Sequence, residues 1–245
     1  MTHVTIPPFF ILGLLFLVAC TSPRAYNPGA GEDAQFGGPG GIITESLFND
    51  KDRTISEADI RMILDGKIII PDSIRLAVFQ YGGTQSRYGA WNWYDEENLN
   101  IQQQLIDTFA QTIGQAKRVR RVFSMPAMVT GLRPNIHQLR ESAVRVRADM
   151  LLVYSLNSDL FRKVRVFKKD EAKAYATCEV VLMDIRTGII PHTNVLTRSA
   201  QSTKERSDFT DEELQKRTLY LANLEVLLEA GKGIAAYLNN TKNDE

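Results

Sequence analysis

The chain has 245 residues with 29 basic and 29 acidic side chains, so its formal net charge is zero. This balance gives no electrostatic reason to expect binding to nucleic acid or to an anionic membrane surface. The apolar fraction of 44% and the charged fraction of 24% are typical of a globular protein. The two cysteines, Cys20 and Cys178, are too few for a disulfide framework or for a metal site built from cysteines.

An apolar segment, FFILGLLFLVAC, occupies residues 9–20. As a helix, residues 9–19 would extend about 16 Å. The hydrocarbon of a bilayer is about 30 Å thick, so the segment is too short to span it. A short apolar stretch at the N-terminus that ends in a small residue is typical of a secretory signal peptide. We therefore predict a signal peptide over 1–19 that is absent from the mature protein.

The residues Leu17-Val18-Ala19-Cys20 resemble the lipobox of bacterial lipoproteins. The resemblance implies cleavage before Cys20 by signal peptidase II, a diacylglyceryl group on its sulfur and an acylated amine. Two acyl chains hold a protein stably on a bilayer, whereas one is marginal. The expected location is the cell envelope, with membrane attachment through acyl chains on Cys20. The alternative is an uncleaved membrane-associated segment with an incidental cysteine.

The segment that follows Cys20 is rich in glycine and proline. Such a segment buries too little apolar surface to offset the entropy of ordering it. We expect residues 20–45 to comprise the lipidated cysteine and a flexible tether, and residues 46–245 to form the folded domain. Lipoproteins that stay in the inner membrane of enterobacteria carry aspartate after the lipidated cysteine, whereas this chain has Thr21. The lipoprotein resemblance therefore implies the outer membrane in a bacterium with two membranes.

The first part of the predicted domain alternates helices and strands. Apolar residues at three- and four-residue spacing predict helices, and runs of branched apolar residues predict strands. In chain order we expect a helix over 56–66, a strand over 74–80, a helix over 96–117, a strand over 119–125, a helix capped by Asn135 and a central strand over 150–156.

The pattern then changes to consecutive strands. A hairpin is predicted from strands over 161–167 and 172–185, followed by another antiparallel strand from 189 to 200. Cys178 shares one face of its strand with small residues, so we expect a packed core thiol rather than a reactive one. Thr210 begins a final helix. We expect this helix to pack on the sheet through a stripe of leucines: Leu214, Leu221, Leu224 and Leu228. Two glycines, Gly231 and Gly233, should weaken it near its end.

These elements predict an α/β fold: a single domain with a mixed parallel and antiparallel sheet flanked by helices. The segments at 148–156 and 181–190, with the strand at 74–81, resemble those of the curli-secretion-channel lipoprotein superfamily. That superfamily also includes a lipoprotein activator of penicillin-binding proteins and relatives of the TolB N-terminal domain. The resemblance covers roughly residues 74–238 and implies the same fold. Charged residues in the hairpin segment FRKVRVFKKDEAKAY argue against a transmembrane pore, since they would face lipid.

The sequence contains no recognisable catalytic motif. His137 and His192 lack the spacing of metal ligands, and we interpret both as structural or solvated. There is no nucleophile elbow, P-loop or dinucleotide-binding glycine motif. We therefore expect a protein that is not an enzyme and needs no cofactor or metal.

The best candidate binding surface in the sequence is an aromatic loop with Tyr88, Trp91, Trp93 and Tyr94. It follows the first predicted strand, at the edge where open α/β sheets usually bind ligands. Exposed Trp and Tyr are good anchors for protein partners and can stack on sugar rings. The alternative is that these rings fold back onto the core.

The sequence thus predicts a non-catalytic, lipid-anchored envelope protein that recognises another envelope protein or assembles with copies of itself. It gives no reason to expect a nucleic-acid partner. The alternative function is that of a carbohydrate- or peptidoglycan-binding module, with the aromatic loop as the glycan platform.

Overall fold

The computed structural model describes residues 56–66, 69–82, 85–86, 96–131, 134–164, 169–208 and 210–241. The predicted signal peptide, Cys20 and the tether lie outside these residues. Among the helices of the described ranges, none is both long and apolar enough to cross a membrane.

The described part of the chain contains helices and strands close to the predicted ones. The helices are α1 Glu57–Leu64, α2 Glu96–Gly114, α3 Ala127–Thr130, α4 Ile136–Arg145 and α5 Asp211–Asn240. The strands are β1 Ile74–Gln80, β2 Gln85–Ser86, β3 Val119–Ser124, β4 Met150–Lys163, β5 Glu171–Asp184 and β6 His192–Thr203.

The strands form one mixed sheet in the order β3-β1-β4-β5-β6, with the short β2 pairing with β4. β1 runs parallel to both β3 and β4, as expected of strands joined by helical crossovers. β4, β5 and β6 are antiparallel and form a meander. The predicted α/β class with a mixed sheet is therefore confirmed.

One face of the sheet packs against α2 and α5 and forms the larger core. Its fully buried side chains include Leu152 on β4, Phe109 on α2 and Val226 on α5. The small residues predicted to share a face of β5 do so, and α5 packs against that strand. Cys178 is one of them and is completely buried.

The opposite face is covered by α4 at one end. Leu139 and Ala143 of α4 lie in a second, smaller core with Leu151 and Val153 of β4. α4 begins with a capping box, in which Asn135 and Gln138 each accept a hydrogen bond from the other's backbone N–H, as the Asn135 prediction requires. Met183 of β5 also belongs to this core, whereas Phe161, Tyr175 and Val195 elsewhere on the face are exposed.

The structure corrects two predictions. A single strand, β4, replaces the two strands expected over 150–156 and 161–167. It pairs residue by residue with β5 from Met150 to Lys163, because the ladder continues through the polar stretch 157–159. In α5 the expected leucine stripe is wrong at Leu221, which is 41% exposed.

The buried face of α5 is offset from the expected stripe and mixes small and large residues: Leu214, Thr218, Leu219, Ala222, Asn223, Val226, Leu227, Ala230, Gly231, Ile234 and Leu238. The helix also continues through both glycines to Asn240. Gly231 is buried where α5 meets α2, so it serves close packing rather than ending the helix.

Candidate functional site

The site residues that the sequence nominated lie outside the described part of the chain. This holds for Cys20 and for Tyr88, Trp91, Trp93 and Tyr94. Lipidation and the aromatic loop therefore stay predictions.

Two of the reactive side chains that the structure describes, Cys178 and His192, are placed for packing. Burial raises the pKa of the Cys178 thiol to about 12, so it is un-ionised and a poor nucleophile. The His192 ring stacks on Tyr237 with centroids 4.6 Å apart, and burial lowers its pKa. His137 lies on the exposed side of α4. Within the described residues, no group of three or more His, Cys, Asp and Glu could hold a metal ion.

The first candidate binding surface is the outer edge of β6. Its even positions, such as Leu196 and Ala200, pack toward the core under α5. Its odd positions are exposed: Thr193, Val195, Thr197, Ser199 and Gln201. No strand of the described ranges pairs with this edge.

Two hydrogen bonds show which backbone groups point outward from β6. The Arg198 side chain donates to the carbonyl of Thr197 at 2.7 Å, and the Arg217 side chain donates to the carbonyl of Thr203 at 3.2 Å. In an antiparallel strand the N–H and C=O of alternate residues point to the same side. The odd positions of β6 therefore direct their backbone groups to the outer edge, where the carbonyls of Thr197 and Thr203 already accept these side-chain hydrogen bonds.

The two edges of the sheet differ in length and charge. β3 has 6 residues and carries the adjacent charges Arg120 and Arg121, which discourage pairing with another strand. β6 has 12 residues, and its one Lys, Arg, Asp or Glu is Arg198. Arg198 forms an ion pair with Glu229 on α5, so its charge is compensated by its own chain. A long edge strand whose single charge is paired within its own chain is a template for adding a strand.

The face beside this edge is open and mixed in character. Val195 is 66% exposed and Phe161 is 56% exposed. The Phe161 and Tyr175 rings meet edge to face at 5.9 Å, and the hydroxyls of Thr177 and Thr197 hydrogen bond across the strands at 2.9 Å. These contacts order the surface without covering it. We call these residues, with the outer edge of β6, the β6 surface.

The second surface is a groove of about 760 Å³, which we call the arginine groove. It lies where β1 and β4 begin and α4 ends. Its polar lining consists of Arg75, His137, Arg140, Glu141, Arg147, Asp149 and Arg186, with Val144, Ala148 and Ile185 between them.

Some of these charges are neutralised locally. Arg75 binds Asp149 through two side-chain hydrogen bonds of 3.1 Å, and its backbone N–H donates to the same carboxylate at 2.9 Å. These bonds lower the pKa of Asp149, so the carboxylate stays ionised at neutral pH. Glu141 forms an ion pair with Arg145 one turn along α4.

Other charges in the arginine groove have no such partner. The Arg140 guanidinium donates to the backbone carbonyls of Ile185 at 2.6 Å and Arg186 at 2.5 Å, which carry no charge. Within the described residues, no hydrogen bond or ion pair involves the guanidinium of Arg147 or Arg186, although Arg186 helps to lower the pKa of Asp149. The groove therefore holds an excess of positive charge in a chain whose net charge is zero.

Arg147 has an unusual backbone conformation. Its N–H donates to Val144 and the next N–H, of Ala148, donates to Ala143, which together form a Schellman motif at the end of α4. The motif needs a left-handed residue, usually glycine, at this position. Arg147 adopts it with φ 58° and is the one non-glycine residue with positive φ in the described ranges. An arginine here costs about 1 kcal/mol relative to glycine.

Neither surface is predicted by the sequence pattern. The overall charge balance hid the arginines, although the run LRESAVRVR at 139–147 carries a visible local excess. The exposed edge of β6 was not visible, because strand order cannot be read from alternation alone. β6 can be identified as an edge strand only when the order of all the strands in the sheet is known.

The chain is similar to several solved bacterial structures. A neuraminyllactose-binding hemagglutinin homolog from Helicobacter pylori has a TM-score of 0.46 and 10% identity, over 70% of this chain and 94% of that one. The hypothetical protein CT253 from Chlamydia trachomatis has a TM-score of 0.43 and 13% identity, over 69% and 99%. A minor lipoprotein from Acinetobacter baumannii has a TM-score of 0.32 and 13% identity, over 70% and 96%.

No protein-family model and no curated protein sequence matches the chain. Two further similar structures, from Caulobacter crescentus and Neisseria meningitidis, are also named as lipoproteins. All these likenesses have TM-scores below 0.5 and low identity. We therefore infer function from this chain's own residues.

Proposed function

We propose that this chain is a non-catalytic, lipid-anchored protein of the bacterial cell envelope that binds another envelope protein, or copies of itself, by adding a strand to the outer edge of β6. The observation that carries the proposal is the 12-residue β6 with its odd backbone groups directed outward. The lipobox at Cys20 supports the anchor and the envelope location.

Strand addition fits the chemistry of the β6 surface. Backbone hydrogen bonds provide affinity in this mode, and alternate side chains provide specificity. The alternate side chains of β6 available here are uncharged and include the exposed Val195, and the exposed rings of Phe161 on β4 and Tyr175 on β5 lie on the same face. Since the opposite face of β6 packs toward α5, a partner strand would join a sheet that is already packed against a helix.

The first test places a charge on the β6 surface. Val195→Lys introduces a lysine of the kind that blocks edge pairing in natural sheets. Val164→Lys is the matched control, because both valines are 66% exposed. Crosslinking in intact cells, followed by mass spectrometry, should show partner or self-crosslinked species reduced about tenfold by Val195→Lys. The control should retain them.

A second variant removes one outward hydrogen-bond donor. Thr197→Pro deletes an N–H that points away from β5, so the β5 ladder is retained while the edge is blocked. The proposal is wrong if crosslinked species persist in both variants while circular dichroism shows an intact fold. It is also wrong if retention on purified peptidoglycan sacculi depends on Trp91 and Trp93 while β6 variants behave as wild type, which would support the glycan-binding alternative.

The anchor is tested separately. Cys20→Ser should move the protein from the membrane fraction to the soluble envelope fraction without changing its melting temperature, since acyl chains are then absent. Cys178→Ala is the control, because that thiol is buried in the core. Retention of Cys20→Ser in the membrane fraction would contradict the lipid anchor and leave the β6 prediction intact.

A further inference from the structure

We propose that the arginine groove is a second binding site and that it takes an acidic peptide segment of a partner protein. The site lies at the opposite end of β4 from the hairpin turn and uses different residues from the β6 surface. The inference therefore goes beyond the proposed function and does not depend on it.

The charges of the groove define the ligand class. Within the described residues, no hydrogen bond or ion pair joins the guanidinium groups of Arg140, Arg147 and Arg186 to a carboxylate, and all three line the same groove. A guanidinium donates hydrogen bonds in a planar fork that matches the two oxygens of a carboxylate. Each of these arginines can thus accept an acidic side chain while Arg75 remains paired with Asp149.

Two features hold these groups in place before any ligand binds. Arg140 is clamped by the carbonyls of Ile185 and Arg186 in the turn after β5. A Cβ at Gly188 of that turn would lie 3.2 Å from Nη1 of Arg140, so glycine leaves room for the guanidinium. Arg147 adopts a left-handed backbone conformation that glycine would adopt at a lower cost in free energy. Strained residues of this kind cluster at functional sites.

The lining favours a peptide over a membrane surface. Glu141 and Asp149 lie among the arginines, so an anionic bilayer would meet carboxylates as well as guanidinium groups. The 55% exposed Val144 contributes apolar surface beside them. Discrete acidic side chains spaced along a peptide can contact the arginines and avoid the carboxylates, with apolar residues against Val144.

The test measures binding of a labelled hexaglutamate peptide to the purified full-length protein by fluorescence anisotropy. The double variant Arg147→Gly/Arg186→Gln should bind about tenfold more weakly than wild type, and rising salt should weaken wild-type binding. Arg206→Gln is the matched control, because Arg206 is exposed and lies beyond the far end of β6. It should bind as wild type does. Hexaglutamine should not bind.

Three outcomes would overturn the inference. The first is no binding of hexaglutamate by the wild-type protein. The second is an equal loss in the double variant and in Arg206→Gln, which would indicate a general charge effect. The third is recruitment of the Cys20→Ser protein to phosphatidylglycerol vesicles that depends on Arg147 and Arg186 and exceeds peptide binding. Val195→Lys should bind hexaglutamate normally, so failure of the β6 proposal is distinguishable from failure here.

Discussion

A pair of one phenylalanine ring and one tyrosine ring lies on each face of the sheet, buried on one face and exposed on the other. On the helix-covered face, Phe109 meets Tyr154 edge to face at 4.8 Å, and both are almost fully buried. On the open face, Phe161 meets Tyr175 in a similar geometry at 5.9 Å, but both are exposed. The covered face thus holds the fold together, whereas the open face has side chains that are free to contact a partner.

The largest expected effect on stability comes from replacing phenylalanine by alanine, at a buried position and, for comparison, at an exposed one. Phe109→Ala should lower the free energy of unfolding by about 3–5 kcal/mol, because it removes a buried ring and leaves a cavity. Phe161→Ala should lower it by less than about 1 kcal/mol, since most of that ring already contacts water. Urea denaturation followed by circular dichroism measures both. Similar losses in the two variants would mean that the open face is a second core.

The next effect concerns the end of the second face that α4 covers. Asp149 accepts three hydrogen bonds from Arg75, so Asp149→Asn should cost about 2 kcal/mol at neutral pH. The pKa of Asp149 is lowered in the folded state. Its contribution is therefore fully present above the unfolded pKa of about 3.9 and is lost as the pH falls through the folded value.

Urea unfolding at a series of pH values checks the sign of this effect. The difference between wild type and Asp149→Asn should be constant near neutral pH and should shrink as the pH falls below about 4. A difference that grows on acidification would contradict the assignment of Arg75 as the stabilising partner of Asp149.

Two glycines of α5 give effects of opposite sign. A Cβ at Gly231 would lie 2.9 Å from Cγ2 of Thr112, so Gly231→Ala should destabilise the packing of α5 on α2 by about 1–2 kcal/mol. A Cβ at Gly233 would find its nearest neighbour, Nδ2 of Asn194, at 3.9 Å. Gly233→Ala should therefore stabilise the helix by about 0.5–1 kcal/mol. Melting temperatures that shift in the same direction for both variants would contradict this difference.

The helices and strands were predictable wherever a local signal decides them. The capping residues Asn135 and Thr210 both begin helices as expected, and the alternation in β5 places Cys178 in the core. The buried stripe of α5 was not predictable from its leucines, because the close contact at Gly231 sets which side of the helix faces the sheet and α2. Tertiary packing overrides the local pattern there.

The candidate surfaces needed the three-dimensional structure. The arginines of the groove come from β1, from α4 and from the turn after β5, which are distant in sequence. Their proximity depends on the parallel pairing of β1 with β4 and the antiparallel pairing of β4 with β5. Charges that cancel in the composition are therefore separated in space.

The smallest effect separates function from stability at Arg147. Arg147→Gly should raise the free energy of unfolding by up to about 1 kcal/mol, because glycine adopts the left-handed conformation without steric cost. Arg145→Gly, in the last turn of the same helix, should instead lower it by about 1 kcal/mol, because glycine is a poor helix former and the ion pair with Glu141 is lost. Thermal denaturation distinguishes these signs.

If Arg147→Gly also destabilises the protein, the arginine contributes packing or charge contacts that outweigh its strain. If it stabilises, then the native residue is retained at a cost in stability, as expected of a side chain selected for binding.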